Sequence, residues 1–453
     1  MLIRFKVSNY KSINEEVTLN LTPSNAVRRH RHHVSNKGSD FPVLRGALIY
    51  GANASGKSSI CTAMDMASSF LQDDYIDISP FDSEKPTKFE YEFVVEGNVY
   101  AYGFEYLYGE IKEEWLYSIK GDDHEDLIFS YGRDTDYKLE IDSDISKALD
   151  DESNMYLRFL FRSRDKDRLF MPQTLKNKDE DLSAFTDKIK PVIYWFMAQY
   201  EFVSPDAAYM EFEDDILKLE ESKKFYATFL KAFDTGISDI KLSQHNLEDL
   251  DEPVRIKISQ ILEDHSDRKG SPWGVVLNTP EGRLNVSVDE DGSIKQIYGV
   301  VYKNSCEYSK KKYFTYFELS DGTRRLIDII PALYKAVYHN KVFVIDEIDR
   351  SIHPIIIKIL LEFFFNENIS PNGQLIVTTH DTGVMEQEFL RKDEIWFVQK
   401  EHDGSSLLYA LDEYANDLRS DKSIIRDYLN GRYGAVVNYK KAKNIVEELI
   451  SHG

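Results

Sequence analysis

A short run of glycine, lysine and serine residues has the spacing of a phosphate-binding loop. Gly51 and Gly56 enclose four residues and are followed by Lys57 and Ser58, which is the P-loop pattern. Glycines let the backbone turn its N–H groups towards phosphate oxygens, and a helix that starts at the lysine adds partial positive charge. We predict that Lys57 reaches the β- and γ-phosphates of ATP and that the Ser58 hydroxyl ligates Mg²⁺. The predicted nucleotide-binding residues are Gly51, Asn53, Ala54, Ser55, Gly56, Lys57, Ser58 and Ser59.

Two carboxylates, Asp346 and Glu347, follow the apolar run Val342–Ile345 directly. Asp346 is predicted to hold Mg²⁺, usually through water, and Glu347 to polarise an attacking water. Alone, this pattern could be an ordinary charged strand end. Its interpretation as part of a nucleotide site is favoured because it follows the P-loop and precedes a second apolar run that ends at His380. The His380 side chain can contact the γ-phosphate. We therefore predict Glu347 and His380 as the catalytic residues. The predicted metal ligands are Ser58 and Asp346.

Another phosphate receptor is predicted where Ser320, Asp321 and Gly322 begin a helical pattern of apolar residues. A hydroxyl, a glycine backbone and a helix N-terminus can together bind phosphate oxygens. The alternative is an ordinary helix cap. Pro331 lies inside the helical pattern, so we expect a kink or an interruption there.

These segments resemble the motifs of ABC-type ATPases in type and in order. Leu319–Gly322 resembles the LSxG signature, and Ile348–His353 resembles the D-loop, with Asp349 as its carboxylate. In that family the signature of one subunit closes over ATP held by the P-loop of another. The resemblance therefore implies a homodimer or a higher homo-oligomer, ATP and Mg²⁺ as cofactors, and ATP hydrolysis to ADP and phosphate.

Several kinds of ABC-type ATPase share these motifs. In transporter subunits the signature lies much closer to the P-loop than Ser320 does to Lys57 here, and Gln72 comes too soon to be a Q-loop glutamine. The opening Val7–Ile13 resembles the start of SMC and RecF ATPases, but no sustained heptad pattern predicts the long coiled coils of SMC proteins.

The resemblance is strongest to the AAA_15 ATPases and the overcoming-lysogenisation-defect (OLD) family. Fused OLD proteins continue into a TOPRIM nuclease, for which too few residues follow the last predicted strand. We therefore expect a stand-alone ATPase, similar to those of two-gene phage-defence systems such as AbiL or PARIS. Such an ATPase is implied to sense a trigger and to control a separate effector encoded nearby, a toxin or a nuclease. The segments that carry the resemblance are Gly51–Ser59, Glu318–Leu326, Val344–Pro354, Thr378–Asp381 and Tyr428–Gly434.

Two other functions stay open. One is a RecF-like or SMC-like DNA-repair ATPase that clamps DNA on binding ATP, so that nucleic acid stays an open partner. The other is a nucleotide-gated scaffold that hardly hydrolyses ATP. A basic strip across the closed dimer face would favour the first, and a slow ATPase rate without DNA stimulation would favour the second.

The motifs need strands and helices to position them. Ala47–Tyr50 predicts a buried strand before the P-loop, and apolar spacing from Ile60 to Leu71 predicts a helix after it. Alternating residues predict antiparallel strands around Ile3–Val7 and Val17–Leu21, and a hairpin at Phe89–Tyr106.

Between about residues 121 and 310 the sequence changes character. Helical patterns occur at Lys188–Phe202 and Asp214–Phe233, and strand-like alternation occurs at Gly274–Val301. We predict an α/β fold: an ABC-type P-loop NTPase head, with a mixed sheet flanked by helices and an antiparallel β subdomain, that carries a helical and β insertion. The predicted boundaries are 1–120 for the P-loop half, 121–310 for the insertion, and 311–453 for the half with the signature. This last half also contains Asp346 and Glu347, the Walker B acids, and His380, the histidine switch.

Composition excludes several classes of protein. The 453 residues carry a formal net charge of −22, which argues against a surface that coats DNA by charge alone. Two cysteines exclude a disulfide framework. No apolar run is long enough for a membrane helix, and the N-terminus has no signal-peptide core. We expect a cytoplasmic protein without a membrane partner.

Other charged clusters have weaker interpretations. His30, His32 and His33 could bind metal or nucleic acid, but a solvated loop is the favoured interpretation because no carboxylate or cysteine beside them completes a ligand set. Arg162–Arg168 and Lys310–Lys312 could contact phosphates, although charge runs are usually solvated. Arg432 could face a partner or lie in a surface turn.

Overall fold

The structure is a computed structural model. It describes residues 1–35, 41–72, 76, 78–121, 124–132, 138–175, 182–206, 209, 212–265, 272–279, 282–306, 308–369, 373–386, 388–413, 424–436, 443–444, 446–447 and 449–450.

The strands of the described residues fall into four sheets. In chain order they are β1 (Leu2–Ser8), β2 (Val17–Asn20), β3 (Val34–Ser35), β4 (Val43–Leu44), β5 (Gly46–Tyr50), β6 (Thr87–Val95), β7 (Asn98–Leu107), β8 (Glu110–Lys120), β9 (His124–Tyr131), β10 (Glu140–Ile141), β11 (Tyr200–Val203), β12 (Ile237–His245), β13 (Trp273–Thr279), β14 (Gly282–Val288), β15 (Ile294–Asn304), β16 (Tyr313–Phe314), β17 (Val342–Ile345), β18 (Gln374–Thr379), β19 (Ile395–Lys400) and β20 (Ser406–Ala410).

The helices separate these strands along the chain. In order they are α1 (Lys57–Met64), α2 (Met66–Leu71), α3 (Ser143–Ala148), α4 (Asp151–Ser163), α5 (Phe170–Gln173), α6 (Ser183–Tyr194), α7 (Phe212–Lys218), α8 (Glu220–Ala232), α9 (Glu252–Asp264), α10 (Asp321–Tyr338), α11 (Pro354–Phe364) and α12 (Ile424–Leu429). No helix of the described part of the chain combines the length and the hydropathy needed to span a bilayer.

The chain divides into two compact units. The first consists of Met1–Pro205, Lys335–Asp349 and Lys358–Gly453, and the second of Asp206–Tyr334 and Arg350–Ile357. β9 lies in a sheet of the first unit, paired with β8. The domain boundaries at residues 120 and 310 stay a prediction.

The first unit contains two large sheets. One is antiparallel, in the order β10-β9-β8-β7-β6-β1-β2, and the other has the order β11-β17-β18-β5-β19-β20, parallel except for the β19–β20 pair. Strands β5, β17 and β18 are continuous apolar runs buried along their whole length, as expected for parallel strands covered on both faces. One core cluster of aliphatic and aromatic residues contains side chains from both of these sheets.

The second unit is built on the antiparallel sheet β12-β15-β14-β13, with β16 on the edge of β15. An apolar cluster that includes Val254, Ile258 and Val286 joins α9 to this sheet. Phe212 stacks on Tyr226 at a centroid distance of 5.2 Å, so α7 packs on α8 within the same unit.

The α/β fold predicted from the sequence is confirmed. The buried strand at Ala47–Tyr50 lies within β5, the alternating N-terminal runs are the antiparallel pair β1–β2, and the predicted hairpin is β6–β7, with Phe89 opposite Phe104. Alternation predicted these elements because each has one face in the core.

Two of the predicted helices are wrong in part. The helix expected from Ile60 to Leu71 is two helices that meet at Asp65. The helix expected to continue to Phe202 ends in a π-helical turn at Trp195–Gln199, and Tyr200–Val203 forms β11. These four residues, rich in aromatic and β-branched side chains, pair in parallel with β17 over their whole length, and this tertiary pairing overrides the helical periodicity.

Of the kink or interruption expected at Pro331, the interruption does not occur, because α10 runs through this residue as one helix. Proline removes a single N–H from the helical ladder. The residues before and after it, from Leu326 to Val337, are almost all buried, so packing outweighs the loss of one hydrogen bond.

Candidate functional site

The P-loop connects a buried strand to a helix N-terminus, as the motif requires. It leaves the sheet at the end of β5, and α1 begins at Lys57. Gly56 has a φ of 112°, in the left-handed region that favours glycine. A Cβ at this position would lie 2.3 Å from Ser406 Oγ and 2.8 Å from Ser12 Oγ. Only glycine therefore fits both the backbone angle and the space.

The Lys57 side chain is held against its own loop. It is 5% exposed, and Nζ donates hydrogen bonds to the carbonyl oxygens of Gly51 at 2.8 Å and Ala52 at 3.2 Å. Burial lowers the pKa of Lys57, although the carboxylates of Asp346, Glu347 and Asp349 act in the opposite direction. The one ammonium of the loop thus lies within the electrostatic reach of three acidic side chains.

Sheet order brings the predicted motifs to one edge. β18 lies between β17 and β5, and both pairs are parallel, with Val344 opposite Ile376 and Ile376 opposite Ala47. The carboxyl ends of parallel strands meet at the same edge, where open α/β sheets bind ligands. The P-loop, the Walker B acids and His380 follow these three carboxyl ends. The predicted residues of the first unit are therefore brought together.

Thr378, a residue that the sequence did not single out for a role, holds the two Walker B acids in place. Its hydroxyl donates to Asp346 Oδ1 and accepts from the backbone N–H of Glu347 at 2.7 Å. Glu347 has a φ of 49°, a left-handed conformation that costs free energy in a residue with a side chain and often occurs at functional sites. The Thr378 hydroxyl offsets part of that cost.

A buried thiol also contacts the Walker B acid. Cys61 on α1 is fully buried and hydrogen-bonds the Asp346 side chain. Burial, followed by the charge of Asp346, raises the pKa of the Cys61 thiol well above its usual value. The thiol therefore stays protonated and acts as a donor to the carboxylate.

Asp349, the predicted D-loop carboxylate, is tied to the histidine switch. The backbone N–H of His380 donates to Asp349 Oδ2 at 3.1 Å. The other oxygen, Oδ1, is buried and has no hydrogen-bond partner among the described residues. The His380 side chain is exposed and follows a strand buried on both faces.

A serine cluster supports the P-loop from behind. Ser406 Oγ donates to Ser55 O at 2.6 Å, and Ser12 Oγ lies within hydrogen-bond distance of both Ser406 Oγ at 2.9 Å and Ser59 Oγ at 3.1 Å. Ser12 precedes β2 and Ser406 starts β20, so distant segments of the chain shape the loop. Ser12 lies within the N-terminal segment that resembles SMC and RecF ATPases, and this was the only sequence signal for it.

The residues of this edge fit a nucleotide with Mg²⁺. Oxygen ligands are those that Mg²⁺ prefers, and Asp346, Glu347 and Asp349 supply carboxylate oxygens beside the exposed Ser58 at the start of α1. One lysine does not balance three carboxylates, and Asp349 Oδ1 has an unused acceptor. A divalent cation would compensate this charge, with Ser58 and Asp346 as the ligands that the sequence predicts.

The predicted signature residues lie in the second unit. Ser320 Oγ accepts from the backbone N–H of Thr323 at 3.3 Å, which is the local geometry of a helix cap. Asp321 is exposed and pairs with Arg324 within the same helical turn. A Cβ on Gly322 would lie 2.6 Å from Ser351 O, so the α10 N-terminus packs closely on the segment that follows the D-loop carboxylate. Binding of ATP in trans by these three residues stays a prediction.

Solved structures similar to this chain include SMC heads. One is the SmcHead bound to the C-winged helix domain of ScpA, at 13% identity, covering 90% of this chain and 97% of that chain, with a TM-score of 0.39. Another is the SMC head domain from Thermotoga maritima, at 12% identity, covering 90% and 98%, with a TM-score of 0.35. Both scores are below 0.5, so the family assignment rests on the sequence instead. The search of curated proteins found no match.

A family model does match most of the chain. The AAA_21 model, described as "AAA domain, putative AbiEii toxin, Type IV TA system", matches residues 47–386. This range contains the P-loop, the signature, the Walker B acids and His380, so the prediction of an ATP-binding P-loop ATPase is confirmed. The finer resemblance to the AAA_15 and OLD ATPases, and to AbiL or PARIS, stays a prediction. The chain belongs to the AAA_21 family of ATPase domains.

Proposed function

We propose that this chain hydrolyses ATP with Mg²⁺ and couples the cycle of binding and hydrolysis to the control of a partner protein. The observation that supports hydrolysis most directly is the Thr378 hydroxyl, which fixes Asp346 and the Glu347 backbone side by side at the carboxyl edge of the sheet. Two acids with different surroundings can take different roles. Asp346 is buried and hydrogen-bonded, whereas Glu347 is half-buried at the strand tip.

Each residue of the edge then has one task. Lys57 and the loop N–H groups bind phosphate oxygens. Ser58 and Asp346 hold Mg²⁺, which neutralises charge on the phosphates when it is bound. Glu347 orients and deprotonates the attacking water, and His380 contacts the γ-phosphate. The Cys61 thiol and the Thr378 hydroxyl keep Asp346 oriented.

The partner half of the proposal is supported by the family. The printed description of AAA_21 names a toxin of a type IV toxin–antitoxin system. We propose that this chain belongs to a comparable two-component defence system, in which a homo-oligomeric ATPase restrains or directs a separate toxin or nuclease in the cytoplasm. An ATP-driven change has consequence only through differential binding of another component. The inserted residues 121–310 are the proposed docking region for that effector.

Replacing the proposed base tests the chemistry. The Glu347→Gln protein keeps size and hydrogen bonding but cannot take a proton, so turnover should fall by roughly 10²–10⁴-fold while ATP binding is kept. Glu362→Gln makes the same change at an exposed position of α11 and should leave the rate unchanged. Single-turnover hydrolysis and equilibrium nucleotide binding are the measurements. Near-wild-type turnover by Glu347→Gln would exclude this residue as the base.

A further inference from the structure

Three histidines of the first unit form a compact cluster away from the nucleotide edge of the sheet. His30, His32 and His33 lie between β2 and β3, and their ligand nitrogens all lie within 4.8 Å of one another. The imidazole centroids of His32 and His33 are 4.4 Å apart, and those of His30 and His33 are 5.0 Å apart. These distances place three imidazoles, which are common ligands of transition metals, in one small volume.

His33 is oriented by a buried carboxylate. Its Nδ1 lies 2.9 Å from both carboxylate oxygens of Glu394, and the two side chains are 1% and 0% exposed. An imidazole whose Nδ1 donates to a carboxylate presents the Nε2 lone pair to a metal, which is the arrangement in which ligating histidines are usually held.

The ring of His32 is also held by a hydrogen bond, in this case to a backbone carbonyl. The partner of this ring is the backbone of Phe365. Histidines that ligate a metal almost always donate their other ring N–H to a carboxylate or a backbone carbonyl, which fixes the tautomer. His33 has the carboxylate partner, Glu394, and His32 has the backbone partner, Phe365.

The segment is anchored so that the cluster is kept together. The Arg45 backbone N–H donates to His33 O at 2.9 Å, its guanidinium donates to His32 O, and Glu394 accepts from Arg391 N at 2.8 Å. His30 has a φ of 50°, a strained conformation that persists only where the surroundings enforce it.

Nearby charges do not exclude a cation. The guanidinium of Arg391 pairs with both carboxylate oxygens of Asp393, so this cation is already compensated. Glu394, which lies against His33, is the acidic group in electrostatic reach of Arg45.

We infer that His30, His32 and His33 bind a divalent cation of the zinc class, with Glu394 and the Phe365 carbonyl as outer partners. Neutral imidazole nitrogens suit Zn²⁺ and not the Mg²⁺ of the nucleotide edge. Tetrahedral Zn–N bonds of about 2.0–2.1 Å need nitrogens about 3.4 Å apart, so small side-chain rotations close the cluster. Water takes the fourth position. The cation fastens the segment between β2 and β3 to the first unit.

Zinc titration of the tag-free full-length chain tests this inference. Free Zn²⁺ is set by competition with a chromogenic chelator, in excess Mg²⁺ without nucleotide, and bound metal is counted by mass spectrometry after dialysis. We expect one equivalent in the wild type, and the visible spectrum of tetrahedral Co²⁺ when cobalt replaces zinc. The Asp346→Asn protein should bind the same equivalent, because the carboxylate site is separate.

Single substitutions distinguish the proposed ligands from a histidine outside the cluster. His32→Ala should lose the equivalent, and Glu394→Gln should weaken it by about 10–100-fold, as outer partners do. His402→Ala, at an exposed histidine elsewhere in the same unit, should keep it. His30→Ala changes a half-exposed side chain. It therefore still tests the inference if the His32→Ala or Glu394→Gln protein fails to fold. No stoichiometric zinc in the wild type, or equal zinc in His30→Ala and His402→Ala, would overturn the inference.

Discussion

At the scale of single residues, the nucleotide edge depends on hydroxyls as much as on the motif residues. Thr378 donates to Asp346 and accepts from Glu347, and Ser406 and Ser12 bracket Gly56. The motif residues were predictable because their pattern is local. Thr378 and Ser406 were not, since their partners lie 31 to 394 residues away in the chain, and a single sequence does not contain that pairing.

The Thr378→Val substitution isolates the hydroxyl. Valine keeps the shape but leaves Asp346 without its donor and Glu347 N–H without its acceptor. A hydrogen bond to a charged group contributes about 1.5–3 kcal/mol, so turnover should fall by roughly 10–150-fold while nucleotide binding changes little. Thr228→Val, at an exposed position of α8 whose hydroxyl donates to Lys224 O, is the control. Equal turnover by both variants would show that the bridge has no catalytic importance.

Glu114 predicts a pH dependence of stability. It is fully buried on β8 and accepts hydrogen bonds from Tyr102, Tyr131, Phe170 and Met171, yet burial raises its pKa from 4.5 to about 7. A raised carboxyl pKa contributes stability below the unfolded value, and this contribution is lost as the pH rises through the folded value.

Denaturation of the wild type and Glu114→Gln should show this window. As the pH rises from 4.5 to about 7, the free energy of unfolding of the wild type should fall relative to the variant by on the order of 3 kcal/mol. Above that range the difference should be constant. Glu152→Gln, at an exposed position of α4, should show no such trend. A difference that does not vary with pH would contradict the raised pKa.

At the scale of elements, the parallel order of β17, β18 and β5 positions three motifs at once. Buried apolar strands ending in functional residues were predictable from the sequence, because length and flanking residues distinguish them. β11 was missed, because Tyr200–Val203 follows directly on a helical stretch and only its pairing with β17 makes it a strand. The signature at the α10 N-terminus and the P-loop lie in different compact units.

Mixing two inactive variants tests whether subunits share the site. Lys57→Ala removes the phosphate lysine, and Ser320→Arg blocks the proposed signature. A dimer with one chain of each kind has one intact site and one doubly damaged site. If subunits exchange at random, about a quarter of wild-type ATPase activity should return on equal mixing. Each variant mixed with itself is the control, and exchange shown by labelled chains without recovery would place the whole site in one chain.

At the scale of the whole molecule, the proposed partner is the open question. The net charge of −22 disfavours a broad nucleic-acid surface, and membership of AAA_21 connects the chain to a family described with a toxin. The purified chain should therefore hydrolyse ATP without nuclease activity, and it should co-purify with the product of a neighbouring gene.

Expression of both genes with a phage trigger should arrest growth. Lys57→Ala should abolish the arrest, because the effector would no longer receive the nucleotide signal, whereas Lys85→Ala, at an exposed position outside the proposed docking region, should preserve it. Plating efficiency and growth curves are the measurements. Full protection by this chain with its neighbours deleted would replace the two-component proposal with a self-contained ATPase.

The serines that pack around Gly56 also determine how early in translation the protein can bind ATP. The loop leaves the ribosome early, but β5 pairs only with β18 and β19, and the serine that closes the loop is Ser406. At about 5–20 residues per second, translation needs roughly 20–70 s to travel from the loop to that serine. Nascent chains that end before β18 should therefore bind no ATP. We therefore expect ATP binding to begin only after Ser406 has been synthesised.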